Sequence, residues 1–500
     1  MHARLAMKIG FDCEKYMTIQ SRNIRERIEK FGGKLYLEFG GKLFDDYHAS
    51  RVLPGFEPDA KIKMLAKIKD EVEIIIAINA DDIEKNKLRG DLGIGYDDDT
   101  LRLIDIFRSL GFYVGSVVIT RYAGQPGADK FRRRLGDLGM KSFLHYSIPG
   151  YPSDVQTIVS DEGFGKNEFI ETERPLVVVT APGPGSGKMA TCLSQLYHEN
   201  KRGVKAGYAK FETFPVWNLP LKHPVNIAYE SATADLDDVN MIDPFHLEAY
   251  GQTAVNYNRD VEIFPVLQAM MTEILGECPY KSPTDMGVNM VGFCITDDDV
   301  CNEAAGKEMI RRYFSAAKDV ASHNAPKELL AKHELLLQQA HVTREICPAI
   351  AASLKKAEET GKPAGAMELP DGTIVTGKTS SLLGASAALL LNAIKYLAGI
   401  DDNIDLIDAR TLEPVCALKT GALGNKNPRL HSDEVLVALA ASSVYSDEAK
   451  AAVNALPLLR GCDAHFSVIL SSVDEKTFKK LGINTSCEPK YEKRSLYHRK

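Results

Sequence analysis

Two stretches of this chain carry the residue types that wrap a phosphate. "TAPGPGSGKMATCLSQLYHE" runs from Thr180 to Glu199, and "DGTIVTGKTSSLLGASAALL" begins at Asp371. A phosphate loop works where a strand ends, backbone N–H groups enclose an anion, and the positive end of a helix opens on the charge. The second stretch matches G-x-x-x-x-G-K-[ST] letter for letter, from Gly372 to Thr379. Its intervening residues, Thr373 to Thr376, are all β-branched and predict a strand, with Asp371-Gly372 as a hairpin turn before it. There the letters fit and the architecture does not. Lys378 and Thr379, expected at the start of the next helix, suit a smaller anion at most.

The first stretch has Pro182 where the opening glycine belongs and Met189 where the Ser/Thr belongs. Its context is nevertheless correct. Leu176 to Thr180 predict a strand, and Gly183, Gly185 and Gly187 loosen the turn. Met189, Cys192, Leu193, Leu196 and Tyr197 then fall on one helical face. Pro182 and Pro184 donate nothing, whereas Gly185, Ser186, Gly187, Lys188 and Met189 keep their amides. The predicted anion site is therefore Gly183, Gly185, Ser186, Gly187 and Lys188, holding ATP or another phosphorylated ligand. Met189 cannot offer magnesium a hydroxyl, and Thr191 lies about 200° around the helix axis from it. Phosphate binding is thus expected over standard Mg-ATP hydrolysis, with the metal unassigned. The same letters also spell a relaxed dinucleotide fingerprint, Gly185-x-Gly187-x-x-Ala190. On that alternative, Lys210 or Glu212 at the end of "AKFE" meets the adenosine ribose or its 2′-phosphate.

Groups that could act on such a ligand sit on three other segments. "VNIAYESATADLDD" predicts a strand ending at Glu230, which would place Glu230 and Asp235 at the ligand edge of a parallel sheet as a general base or metal holder. Helix-capping aspartates are the bland alternative. "YLEFGGKLFDDYHASRVLPGF" puts His48 on a polar loop directly after a strand. "KTGALGNKNPRLH" gathers Lys419, Lys426, Arg429 and His431, and Lys419 and Arg429 are expected to grip the far end of a nucleotide. The chain contains neither H-E-x-x-H nor G-x-S-x-G.

The elements around these segments alternate. Short Val/Ile-rich strands separated by amphipathic helices predict an α/β fold whose N-terminal domain, residues 1–235, holds a parallel sheet and the phosphate-loop-like turn. Sustained helical periodicity predicts a helical middle domain over 236–360. "GKPAGAMELPDG" is a joint, and a smaller C-terminal α/β domain is expected over 361–500. Its predicted strands are "TIVTG", "NIDLIDA", "VLVALAASS" and "FSVILSSV".

Five hundred residues exceed one core, in keeping with several domains. A formal net charge of -7 offers no basic footprint, which argues against nucleic acid or an anionic membrane as partner. The opening "MHARLAMKIGFD" has no long apolar run, and Met7 is a second candidate start. The scattered, odd set of nine cysteines fits a reducing compartment. The expected location is cytoplasmic and the expected partner a small phosphorylated molecule, with homo-oligomerisation left open.

At "YLEFGGKLFDDYHASRVLPGF" and "APGPGSGKMATCLSQLYHE" the chain resembles a bacterial family of unknown function, and the likeness extends over essentially all 500 residues. Some relatives resemble this chain yet are labelled ATP-dependent peptidase, a label for which the sequence offers no peptidase motif. The resemblance implies an α/β protein with a helical subdomain and assigns no catalytic residue. Three functions stay open: a phosphoryl-transfer or ligase-like enzyme, a dinucleotide-dependent oxidoreductase, and a non-catalytic ligand-binding or assembly protein.

Overall fold

A computed structural model describes residues 8–89 and 93–492. Met7 lies outside them. The chain forms two compact units. The sheet unit comprises Gly10–Tyr229 and Asp238–Asp298; the other comprises Met1–Ile9, Glu230–Asp237 and Asp299–Lys500. The three segments predicted from composition are a partition by sequence character, whereas these units are a partition by contact.

The sheet unit is built on seven strands: β1 (Leu35–Phe39), β2 (Val72–Asn79), β3 (Tyr113–Tyr122), β4 (Lys141–Tyr146), β5 (Leu176–Thr180), β6 (Gly207–Phe211) and β7 (Gly287–Val288). Their spatial order is β7-β6-β1-β5-β2-β3-β4, and every pairing is parallel. All eight residues of β2 are buried, which is why "VEIIIAIN" shows no polar alternation: both faces are covered. One face packs under helices Lys188–Lys201 and Asn258–Leu275. Tyr36, Ile75, Val177, Val179 and Tyr208 of the sheet meet Cys192, Leu193 and Leu196 of the first helix and Phe264, Leu267 and Met271 of the second. Phe39 and Phe211 alternate to the opposite face, where their rings stack at 4.1 Å.

The strand order sets where a ligand can sit. From β2 the chain moves outward to β3, while from β5 it crosses β1 to reach β6 on the other side. Right-handed crossovers send these two connections to opposite faces. The C-terminal ends of β2 and β5 therefore flank a crevice, the switch point of a doubly wound sheet.

The second unit holds a smaller mixed sheet: β8 (Ala364–Glu368), β9 (Ile374–Lys378), β10 (Asp463–Phe466) and β11 (Asn484–Cys487), in the order β9-β8-β10-β11. Strands β8 and β9 form an antiparallel hairpin closed at Asp371-Gly372, where Gly372 takes φ +81 and the Thr373 amide donates to the Asp371 carboxylate at 2.9 Å. The letter-perfect phosphate motif is thus a hairpin, as its β-branched run predicts. The following helix begins only at Ala385, so Lys378 and Thr379 do not open it.

Four predicted strands are corrected: of the "FSVILSSV" segment only Phe466 lies in a strand, at the end of β10, and Ser472 and Val473 open a helix. "VNIAYES" belongs to helix Pro224–Ala232 and "VLVALAAS" to helix Ser432–Ser442, while "NIDLIDA" contains no strand. A short apolar run is ambiguous until its buried side is known. In helix Ser432–Ser442 the buried Val435, Ala438 and Leu439 follow helical spacing, and a capping box between His431 and Glu434 starts it. The middle segment predicted as helical, 236–360, also contains strand near its start. Gly251 caps helix Pro244–Tyr250 in a left-handed conformation, and a short antiparallel ladder, Asn240–Ile242 with Val255–Tyr257, precedes Asn258.

Candidate functional site

The loop between β5 and helix Lys188–Lys201 is held from three directions. The Asn79 side-chain amide, at the end of β2, donates to the Gly185 carbonyl at 3.3 Å. The Thr120 hydroxyl, from β3, donates to the Ser186 carbonyl at 2.8 Å. Tyr96, which opens helix Tyr96–Ser109, lies so close to Gly183 that a Cβ there would strike its hydroxyl. Ser186 is buried, and its hydroxyl turns inward to the Gly183 carbonyl at 2.6 Å. Gly185 and Gly187 take φ +74 and +82, values that glycine adopts without strain.

With its carbonyls tied to the sheet, the loop's amides point the other way. Among the described residues, no protein acceptor meets the N–H groups of Gly185, Ser186, Gly187, Lys188 or Met189. Helix Lys188–Lys201 has no side-chain N-cap, and Gly187 occupies that position. The first-turn donors of this 14-residue helix therefore have no protein acceptor among the described residues, and its dipole stands behind them. The Thr191 hydroxyl donates to the Gly187 carbonyl at 3.0 Å and does not replace the hydroxyl that Met189 lacks.

A second group of polar side chains lies along the same sheet edge. Glu38 of β1 pairs in register with Val179 of β5 on one side and Lys210 of β6 on the other, which puts the Glu38 and Lys210 side chains on one face. Lys210 donates to Asp260 and to the Tyr257 hydroxyl, and stands 3.0 Å from Glu212. Tyr208 donates to Glu38 at 2.7 Å. Asp260 belongs to the first turn of helix Asn258–Leu275, so the N-termini of both face-covering helices end here. Burial works against a charged Lys210, but Asp260, Tyr257, Glu212 and Glu38 outweigh it and hold the ammonium well above its ordinary range. Glu212 is pushed up to about 8, because burial and the neighbouring Asp260 oppose its ionisation more than Lys210 assists it. The two groups of residues share a field: the Cys192 thiol is pushed up by burial and by Glu38, and drawn down by the charge of Lys188.

His48 borders this group. Its ring packs against Phe214 at 5.2 Å and Tyr229 at 6.1 Å, and the Tyr229 hydroxyl is raised by burial, Asp238 and Glu212. The neighbouring Asp46 is paired with the buried Lys61 at 2.6 Å. Glu230 and Asp235 fall in the other unit, Glu230 on helix Pro224–Ala232 rather than at a strand end. Lys419 and Arg429 also belong to that unit and are matched inside it. The Lys419 ammonium donates to the Arg429 carbonyl and to Glu434, each at 2.7 Å, and Arg429 pairs with Glu492 at 2.6 Å. His431 joins Asp474 at 2.9 Å.

Lys210 and Glu212 drew notice in sequence only as ribose contacts of a dinucleotide reading. Glu38, Tyr257 and Asp260 gave no local signal, because strand register and a helix about fifty residues downstream bring them together. Among the described residues, no group of three or more His, Cys, Asp or Glu is arranged to hold a metal ion. No helix among them is long and apolar enough to cross a membrane.

Comparison with known proteins identifies the chain's relatives. The family model described as "Domain of unknown function DUF1846, N-terminal" matches residues 9–341, and its C-terminal counterpart matches 345–497. A UPF0371 protein of Streptococcus thermophilus is 57% identical over 492 residues, covering 98% of this chain and 100% of the relative. UPF0371 proteins of Corynebacterium urealyticum and Corynebacterium efficiens are 55% and 56% identical, each over at least 98% of this chain and 99% of the relative. The chain therefore belongs, over nearly its whole length, to the DUF1846 family, whose function is unknown.

Proposed function

We propose that this protein is a cytoplasmic enzyme that binds a small phosphorylated molecule on the Gly183–Lys188 loop. The observation that carries the reading is the set of consecutive amides, Gly185 to Met189, with no protein acceptor among the described residues. They stand at the start of a helix and at the sheet's switch point. Backbone donors fixed in that way bind an anion with little reorganisation, and Lys188 adds a mobile positive charge. Met189 and the inward-turned Ser186 hydroxyl favour a phosphate held by amides and lysine over one held through magnesium.

A thermal-shift panel tests the reading, using inorganic phosphate, sugar phosphates, ATP and NAD(P) on the wild type and Lys188→Ala. A compound at about 100 times its Kd stabilises by roughly 2.7 kcal/mol, and Lys188→Ala is expected to remove most of that shift. Silence of the wild type toward every phosphate compound ends the proposal. A response to NAD(P) alone would move the assignment to dinucleotide chemistry.

A further inference from the structure

The Lys210 group is costly as mere scaffolding. An ammonium, two carboxylates and a phenol are packed together with only about a tenth of the Lys210, Glu212 and Asp260 side chains exposed. Apolar residues of similar volume would fill that place at no loss of stability. The cluster also carries more acid than base. Lys210 faces Glu212, Asp260 and the field of Glu38, and burial together with Asp260 opposes the ionisation of Glu212. Pairs of acids whose environments push their protonation apart are how proteins keep an acid and a base side by side.

Position connects this cluster to the anion loop. Lys210, Glu38 and Val179 lie in one lateral row across three adjacent strands, and the loop begins immediately after Val179 and Thr180. Two strand spacings amount to about 10 Å, the reach of a phosphorylated chain of several carbons. Between the ends of that span the groups on offer suit hydroxyls: Glu38, Tyr257 and Glu212. Tyr151 is partly exposed, and its hydroxyl is pushed up to about 12 by burial and by the charge of Glu38.

We infer that Glu212 is the proton-transfer residue for a phosphate monoester of a polyhydroxylated carbon chain, with the phosphate on the Gly183–Lys188 loop and Lys210 beside the reacting oxygen. The inference rests on the anion-loop reading and names its substrate class. In its ionised form, populated as pH rises through about 8, the Glu212 carboxylate takes the proton of a ligand hydroxyl. The negative charge left on that oxygen is met by the Lys210 ammonium, which Asp260 and Tyr257 hold in place. The proton then returns from the Glu212 carboxyl to the ligand, so nothing beyond the ligand is consumed. The titratable groups facing Glu212 are Lys210 on the strand that it follows, Asp260 in the first turn of helix Asn258–Leu275, Tyr257 just before that helix, and Tyr229 from helix Pro224–Ala232.

Two measurements on the full-length protein test this. Infrared difference spectra of wild type against Glu212→Gln are expected to show a protonated carboxyl at pH 7 that titrates near pH 8 and is missing from the variant. Asp260→Asn, a second variant, is expected to move that titration downward, since Asp260 opposes ionisation of Glu212. Absence of a titrating carboxyl belonging to Glu212 between pH 7 and 9 overturns the inference. Calorimetric binding then compares inorganic phosphate with glucose 6-phosphate. Glu212→Gln is expected to leave inorganic phosphate unchanged and to weaken glucose 6-phosphate about tenfold at pH 9, the loss of one charge-assisted hydrogen bond. Equal affinities of wild type and variant for glucose 6-phosphate overturn the inference and leave the anion loop standing. If neither compound binds the wild type, the anion-loop reading falls, and this inference with it.

Discussion

Asn79 and Gly185 are 106 positions apart, yet the side-chain amide of the first donates to the carbonyl of the second at 3.3 Å. Thr120 does the same for Ser186 at 2.8 Å. Two neighbouring strands thereby turn two consecutive carbonyls of the anion loop toward the sheet, and the amides of those peptides are directed away from it. Thr120→Val keeps the shape and removes the donor, leaving a buried carbonyl unpaired. The expected loss is about 1–3 kcal/mol of stability. Hydrogen exchange should quicken at Thr191, whose amide donates to the Gly187 carbonyl at 2.9 Å, while the β2 and β3 amides stay protected. Unchanged exchange at Thr191 would mean that Thr120 does not hold the loop.

The loop glycines differ in what surrounds them. A Cβ at Gly185 meets nothing within 4 Å, whereas one at Gly187 comes to 3.0 Å from the Thr120 hydroxyl. Both residues have positive φ, so alanine at either position costs about 1 kcal/mol of backbone strain. Gly187→Ala adds the clash with Thr120 and should be the more damaging in urea denaturation. Pairing it with Thr120→Ser, which removes the methyl but keeps the hydroxyl, should recover part of the loss. Equal cost at both positions would contradict this packing.

How far the site could be foreseen follows from how local each part is. The Gly183–Lys188 loop is one continuous segment whose strand, glycines and amphipathic helix all appear within Leu176–Tyr197, so its strand-turn-helix form was legible. The Asp371-Gly372 hairpin was legible for the same reason. Lys210, Asp260 and Glu38 were not, because their meeting depends on the crossing from β5 over β1 to β6, a fact of topology that no short window contains. Glu230 misled because "VNIAYE" fits a strand as well as a helix. The backbone decides it: the Ile227 amide donates to the His223 carbonyl at 3.0 Å, a helical turn rather than a strand ladder.

Ligand binding at the loop should be independent of divalent metal. Met189 has no hydroxyl, and those of Ser186 and Thr191 are committed to the carbonyls of Gly183 and Gly187. Stabilisation by inorganic phosphate is expected to be the same in EDTA as in millimolar magnesium. Met189→Thr restores the usual ligand, and a magnesium-dependent gain in ATP binding should appear only in that variant. A wild type that needs magnesium would refute the arrangement.

Acid should weaken the sheet unit earlier than its carboxylates alone would require. His145 on β4 is buried, with Nε2 at 3.2 Å from the Glu168 carbonyl, and burial holds its ionisation down to about 3. The folded value lies below the unfolded value of about 6.5, so the unfolded chain binds the extra proton between them. The neutral ring is therefore no burden above pH 6.5, and each unit below it costs up to about 1.4 kcal/mol. Urea denaturation at pH 7, 6 and 5 should show wild type losing roughly 2 kcal/mol more than His145→Gln across that range. Parallel pH profiles would mean that the ring takes up its proton without unfolding.

Lys419 offers a contrast with Lys188, since both were candidates to hold the same ligand. Only 2% of the Lys419 side chain is exposed, and its ammonium lies 2.7 Å from Glu434 and from the Arg429 carbonyl. Glu434 in turn accepts from the His431 amide at 2.8 Å and so closes the start of helix Ser432–Ser442. The Glu434 side chain is 29% exposed, so water takes up part of the charge that Lys419→Met leaves behind, and the expected cost is about 1–3 kcal/mol. Converting both partners, Lys419→Met with Glu434→Gln, should recover part of that cost, because a glutamine in place of Glu434 still caps the helix without leaving a lone charge. The single variant should bind inorganic phosphate as the wild type does, at temperatures where it remains folded, whereas Lys188→Ala should stay stable and lose binding. Phosphate affinity that falls with Lys419→Met, in protein still folded by circular dichroism, would return this lysine to the binding site.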